Sequence, residues 1–182
     1  DEWIRTRTGI HQRHSTGNTN LGPADLAVTA TKKLLNNLKI NKSEIDFVVF
    51  ATSTPDYFVP GSGALFQEKM GLNNIGVLDI RQGCSGFTYA LSVADKFIKT
   101  DTYNKILVIG SEVQTTQLDF DDNGRGTAVL FGDGAGAVIL SESSKPGILS
   151  TNIGSDGSYK DLLTVNIDPE FIEMKGNDVF KI

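Results

Sequence analysis

Three short apolar runs, "DFVVFATST" (46–54), "IGVLDI" (75–80) and "KILVIGS" (105–111), are separated by stretches whose apolar residues recur every three or four positions. Continuous apolarity, without polar alternation, is the pattern of strands buried on both faces. The first helical stretch covers 24–38, with Ala27, Ala30, Leu34 and Leu38 as its stripe and Pro23 suited to its first turn. The second covers 61–70, with Gly71 as its stop, and the third covers 85–99, with Phe87, Ala90, Leu91, Ala94 and Ile98 on one side. Strand–helix–strand alternation of this kind predicts an α/β fold, a mostly parallel sheet flanked by helices with right-handed crossovers. Two further strands are expected at "AGAVIL" (135–140) and "GILSTNIGSDG" (147–157), paired like a hairpin. No internal repeat or low-complexity linker interrupts residues 1–182, so the chain reads as one domain or as one half of a duplicated protein.

Composition narrows the function classes. Seventeen basic against 22 acidic residues give a net charge of −5, and no Lys/Arg run forms a basic patch, which argues against nucleic acid and anionic membranes as partners. No apolar run reaches the roughly 18 residues that a membrane-spanning helix needs. A single cysteine forms no intrachain disulfide, and two histidines near one end argue against a zinc site, so no metal is expected and a reducing, cytoplasmic setting fits. The chain opens on "DEWIRTRTG", without methionine or signal-peptide pattern, and stops at "MKGNDVFKI", which reads as the start of a helix. Both ends look cut, and the expectation is a fragment of a longer protein.

The one cysteine, Cys84, falls where the second strand gives way to the third helix, inside "DIRQGCSGFTYALSVADKFIK" (79–99). At such a junction the positive end of the helix dipole favours a thiolate, and backbone N–H groups can face a developing oxyanion. Gly83, Ser85 and Gly86 around it are small enough to let a substrate carbonyl approach, so the thiolate could take an acyl group from a thioester. The competing reading is packing, because free cysteine is among the most buried residue types. The pattern alone leaves both open. "FGDGAGA" (131–137) is no phosphate loop: it lacks the Gly-Lys-Ser/Thr ending and precedes a strand, not a helix. Its glycines are expected to allow a tight turn and close backbone packing near Cys84, with the Asp133 side chain bracing the turn.

"CSGFTYALSVAD" resembles the active-site segment of the β-ketoacyl-[acyl carrier protein] synthase III family, enzymes of the thiolase-like superfamily that start type II fatty-acid synthesis. "DEWIRTRTGIHQRH", "LFGDGAGAVIL", "GILSTNIGSDGSYKDLLT" and "MKGNDVFKI" resemble further segments of that family in the same order. The resemblance implies a thiolase-like fold, here one half of the duplicated αβαβα architecture without its first strand and its C-terminal half. It implies that Cys84 accepts the acyl group from acyl-CoA, and that a His and an Asn in the other half promote decarboxylation of malonyl-[acyl carrier protein]. His11 and His14 match neither position, and His14 is read as structural. Alone, this stretch should not condense anything. No cofactor is implied beyond acyl-CoA as substrate; acyl carrier protein and a second copy of the chain, as a homodimer, are the implied partners.

The resemblance also implies that Trp3 and Arg125 sandwich the adenine of coenzyme A, that Arg7 lies near its phosphates, and that Phe58 lines the acyl pocket of a partner subunit. Two departures bear on these roles. The loop "TTQLDFDDNGRG" (115–126) is longer and more acidic than is common in the family, and Asp119, Asp121, Asp122 and the more distant Glu112 would weaken attraction for phosphates. Arg81, Gln82 and Gly83 stand where small residues are usual, which bears on acyl preference. Alternatives are another thiolase-fold condensing enzyme, using longer acyl-CoA or a secondary-metabolism acceptor, and a non-catalytic acyl-binding or dimerising module.

Overall fold

In the computed structural model, which describes residues 2–165, four strands form one sheet. Strand β1 (Phe47–Ala51) lies between β2 (Gly76–Ile80) and β3 (Lys105–Val113) and is parallel to both, with Val49 opposite Leu78 on one side and Val108 on the other. Strand β4 (Asp133–Ser141) closes the order β2–β1–β3–β4 and runs antiparallel to β3. The helices are α1 (Glu2–Thr8), α2 (Pro23–Leu38), α3 (Ser62–Met70), α4 (Gly86–Lys99) and the single turn α5 (Arg125–Ala128).

Because strand side chains alternate between faces, the apolar runs feed two cores. Val48, Phe50, Leu107 and Ile109 point to the side covered by Ala24, Ala27 and Leu35 of α2 and by Phe66 and Met70 of α3. Phe47, Val49, Ala51, Ile106 and Val108 point to the other side, against Ala90 and Ala94 of α4, with Phe87, Leu91 and Ile98 packed at its margin. The result is helix, sheet, helix in three layers, as the continuous apolarity of β1 and β3 requires.

Helices α2 and α3 start after Gly22 and Gly61, which have no side chain to cap with. Their first amides are met from elsewhere: Asp56 Oδ2 accepts from Ala24 N (3.1 Å) and Asp79 Oδ1 from Gly63 N (2.9 Å). Asp56 N in turn donates to Ser62 Oγ (2.9 Å), so the loop between β1 and α3 is tied to both helix starts.

Four sequence expectations need correction. The run 75–80, read as buried on both faces, is not: β2 stands at the end of the strand order, and Leu78 is 37% exposed. The buried stripe of α2 is Ala24, Ala27, Thr31 and Leu35, and Leu38 is 50% exposed. Apolarity alone does not resolve a rotation of one position about a helix axis, and here the polar Thr31 takes the inner place. Residues 147–157 form no strand: β4 pairs with β3 instead, and Leu149 stays 82% exposed. A strand exists only where a ladder partner accepts it, and among the described residues this segment has none. The "FGDGAGA" stretch is not a tight turn either, because 133–137 already belong to β4, with Asp133 opposite Val113. The helix start expected at 174–182 lies outside the described residues.

The packing of α3 on β2 gives a test. A Cβ at Gly63 would run into Val77 Cγ1 and stand 2.7 Å from Asp79 Oδ2, whereas one at Gly126 would meet nothing within 4 Å. Gly63→Ala should cost about 1–3 kcal/mol through overpacking. Gly126→Ala should stay within about 0.5 kcal/mol of the parent. Denaturant unfolding of both variants checks this, and equal midpoints would mean that α3 is not held so closely.

Candidate active site

The carboxyl ends of parallel strands all open on one edge of a sheet, which is where open α/β sheets place their ligand sites. From the end of β2 the chain passes through Arg81 and Gln82 into a short 3-10 turn, Gly83–Ser85, and then into α4. Gly83 has φ +53, a left-handed conformation that residues with a Cβ adopt at a cost, and this turns Cys84 outward at the head of a 14-residue helix. Cys84 is exposed. Among the described residues nothing covers it, which favours an accessible thiol at a helix start over a packing role.

Two cavities meet at this thiol. The smaller, about 200 Å3, is walled by Ala51 at the end of β1, Phe87 of α4, Glu112 of β3 and Gly134–Gly136 of β4. The larger, about 750 Å3, is walled by Ser53, Phe58, Arg81, Gln82, Gln114 and Phe131, among others. The glycine-rich segment is thus beside Cys84 as expected, although as a strand. Cβ atoms at Gly134 and Gly136 would meet nothing within 4 Å, so their smallness leaves space there and does not serve close backbone packing.

Asp133, at the first position of β4, holds three segments together. Its carboxylate accepts from Thr16 N (2.7 Å) and Oγ1 (3.1 Å) and from Thr115 N (2.8 Å) and Oγ1 (2.6 Å). Its own amide donates to the His14 carbonyl (2.8 Å), which gives His14 a structural part through its backbone. Burial opposes the Asp133 charge, but the hydrogen bonds from Thr115 and Thr16 outweigh it and hold the carboxyl below the ordinary value of 3.8.

Of the residues singled out in the sequence, Phe58, Arg81, Gln82 and Gly83 line the larger cavity together with Cys84. Trp3 and Arg7 come together one helical turn apart on α1, with the Arg7 guanidinium 4.7 Å from the centre of the indole ring. Arg125 opens α5 and shares a smaller depression with Arg13, Phe120, Asp121 and Asp122. Asp121 is engaged within its own loop: hydrogen bonds from Gly124 N and Asn123 N hold its carboxyl below the usual range. Glu112 does not belong to that acidic group. Its carboxylate accepts from Ser53 N (2.8 Å), Ser53 Oγ (2.9 Å) and Thr54 Oγ1 (2.9 Å), beside Cys84 and not in the 115–126 loop. Sequence reasoning missed Glu112, Ser53 and Gln114 as parts of this site. The available signal was their position just at, or just past, the carboxyl ends of parallel strands.

Among the described residues no group of three or more His, Cys, Asp or Glu side chains is placed to hold a metal ion. No helix among them is long and apolar enough to cross a membrane.

Solved structures share this fold. A β-ketoacyl-[acyl carrier protein] synthase III from Thermus thermophilus superposes with a TM-score of 0.84 at 36% identity, over 96% of this chain and 55% of that one. Sheet, flanking helices and topology are those of the thiolase-like fold. Residues 78–157 match the profile of the 3-oxoacyl-[acyl-carrier-protein (ACP)] synthase III family. A β-ketoacyl-[acyl-carrier-protein] synthase III of Ehrlichia canis (strain Jake) is 48% identical over 165 residues, 90% of this chain and 51% of the relative. Its counterpart from Methylococcus capsulatus is 39% identical, over 100% of this chain and 59% of the relative. The chain belongs to the β-ketoacyl-[acyl carrier protein] synthase III family, and it spans about half the length of the curated relatives it matches.

The Asp133 cluster predicts a pH-dependent stability. A carboxyl whose folded value lies below 3.8 stabilises the fold above that pH, and the contribution is lost as pH falls through the folded value. Asp133→Asn should lower stability by about 1–3 kcal/mol at neutral pH, because an amide nitrogen would face amide donors. The gap to the parent should narrow below pH 3.8. Unfolding curves at several pH values check this, and a gap independent of pH would show that the charge is not what Asp133 supplies.

Proposed function

We propose that the protein is an acyl-CoA-dependent condensing enzyme that starts fatty-acid synthesis, with Cys84 as the residue that carries the acyl group. The observation that supports this most directly is the exposed Cys84 thiol at the head of α4, facing a cavity of about 750 Å3. The thiolate attacks the thioester carbonyl of acyl-CoA. The tetrahedral oxyanion collapses, the bond from carbon to the coenzyme sulfur breaks, and the coenzyme leaves as its thiol, with the acyl group on Cys84 Sγ. Decarboxylation of malonyl-[acyl carrier protein] then releases carbon dioxide. The resulting carbanion attacks the acyl-cysteine carbonyl, giving a 3-oxoacyl thioester and freeing Cys84.

Neither histidine of the chain lines either cavity at Cys84. The group that promotes decarboxylation is therefore assigned, by the family resemblance, to a His and an Asn in the other half of the relatives' length. Acyl-CoA enters as a substrate, and no cofactor is invoked. For its coenzyme portion, Trp3 and Arg125 are assigned to the adenine and Arg7 to the phosphates; the half-exposed indole supports this. The contact of Arg7 with that same indole means that Arg7 must swing aside, or stack as a third layer, when the purine arrives.

A homodimer is part of this reading. The outer edge of β2 pairs with no other strand among the described residues, and Tyr57, Phe58 and Val59 expose 56%, 64% and 79% of their surface. Phe58 would then line the acyl site of the second copy as well as its own. A cytoplasmic setting fits the single unpaired cysteine. The large cavity, with Arg81 and Gln82 in its wall, favours as second reading a condensing enzyme for acyl groups longer than acetyl.

Intact-mass spectrometry of the full-length protein after brief exposure to acyl-CoAs of increasing chain length tests the assignment. An adduct of one acyl group is expected, and Cys84→Ser should reduce its formation by roughly a thousandfold or more. Equal adduct in the variant would remove Cys84 from the mechanism. The chain length giving most adduct separates the two readings.

A further inference from the structure

Glu112 is the last but one residue of β3, and its carboxylate is the hub of a closed network of hydroxyl, amide and backbone donors. Besides Ser53 N, Ser53 Oγ and Thr54 Oγ1, it accepts from Gln114 Nε2 (3.3 Å), with Thr52 Oγ1 at the outer limit of 3.5 Å. The carboxylate, which can only accept, sets the directions of these bonds. Thr54 Oγ1 accepts from Val113 N (2.8 Å), and its single proton goes to the carboxylate at 2.9 Å in preference to Thr52 Oγ1 at 3.4 Å, because a carboxylate can only accept. Gln114 Nε2 also reaches Ser53 Oγ (3.4 Å), so that hydroxyl accepts from Gln114 and donates to Glu112. An ionised carboxylate offers acceptors only and suits this ring of donors. A neutral group of the same shape would leave at least one of them unmet.

The network joins the ends of β1 and β3 beside the two cavities that open at Cys84. Ser53 and Gln114 stand in the wall of the larger cavity, Glu112 stands in the wall of the smaller one, and Cys84 is common to both. We propose that Glu112 is a positioning residue: it locks Ser53 and Gln114 into one wall of the cavity before Cys84 and thereby sets which acyl chain fits, without contributing to the reactivity of the thiol. This deepens the acyl-transfer reading and rests on it for the identity of the ligand.

The test uses the full-length protein and two reagent series, with modification read by mass at the peptide carrying Cys84. The first series is saturated acyl-CoAs of increasing length, and the second is N-alkylmaleimides of increasing alkyl length, which report the wall whatever the natural substrate is. In Glu112→Ala the preferred chain length should shift in both series, with a loss of about tenfold or more at the chain the parent prefers, the scale expected for misplacement of a positioning group. N-methylmaleimide, too short to need the wall, should label Cys84 no more slowly in Glu112→Ala than in the parent, since removing a carboxylate from the cavity at the thiol favours the thiolate. Glu112→Gln, which keeps one acceptor oxygen, should retain more of the parental profile than Glu112→Ala.

An unchanged length profile in Glu112→Ala, or an equal loss with N-methylmaleimide, would overturn the proposal. If Glu112→Ala fails to fold, the Ser53→Ala/Gln114→Ala double variant must shift the profile, and an unshifted profile there overturns it too. If the parent forms no adduct with any acyl-CoA but shows a length-dependent maleimide rate that Glu112→Ala alters, the acyl-transfer reading falls and the wall stands.

Discussion

The parallel ladder that β1 makes with β2 on one edge and β3 on the other directs three carboxyl ends to the same side of the sheet. Parallel pairing needs crossover helices, and those helices cover both faces, so Val48, Val49 and Phe50 are wholly buried. Burying both faces of a five-residue strand leaves it no freedom of register, because a slip of one position would exchange the two cores. The loops that leave β1, β2 and β3 are therefore delivered to fixed starting points, and Ser53, Cys84 and Gln114 lie within the first few residues of those loops.

What fixes the loops beyond those starting points is carboxylate chemistry. Asp56 and Asp79 satisfy the first amides of α2 and α3, Asp133 joins 14–16 to 115 and to β4, and Glu112 joins 52–54 to 112–114. Each is answered by backbone amides or hydroxyls. Hydrogen bonds to charged groups are stronger than neutral ones, and a carboxylate takes several at once, so one side chain can organise a loop that has no hydrophobic core of its own. The chain's excess of acidic residues is in part the visible cost of this way of building an edge.

The sheet was legible because its signal is local: an apolar run of five or six residues needs no knowledge of its neighbours to be recognised. Cys84 was legible for a similar reason, since "GCSG" between a strand and a helix states both its place and its freedom from bulk. The misreadings concern properties that depend on a partner. Whether Leu38 or Leu35 faces inward is decided by what α2 packs against, and whether 147–157 is a strand by what lies beside it. Glu112 looked like one more acidic residue near the 115–126 loop because its donors, Ser53 and Thr54, are almost sixty positions away in sequence. Long-range polar contacts leave no periodic trace, and the walls of the site are made of them.

The left-handed turn at Gly83 has a consequence for how such a chain changes over generations. Any side chain there meets the backbone penalty of about 1–2 kcal/mol that L residues incur in that conformation, before a substrate is ever encountered. A protein only marginally stable loses a noticeable share of its folded population to such a change. Position 83 is thus policed by folding yield, whereas Arg81 and Gln82, two and one residues earlier and exposed, are open to drift. Variation in the wall of the larger cavity can therefore accumulate immediately beside a glycine that the fold holds in place.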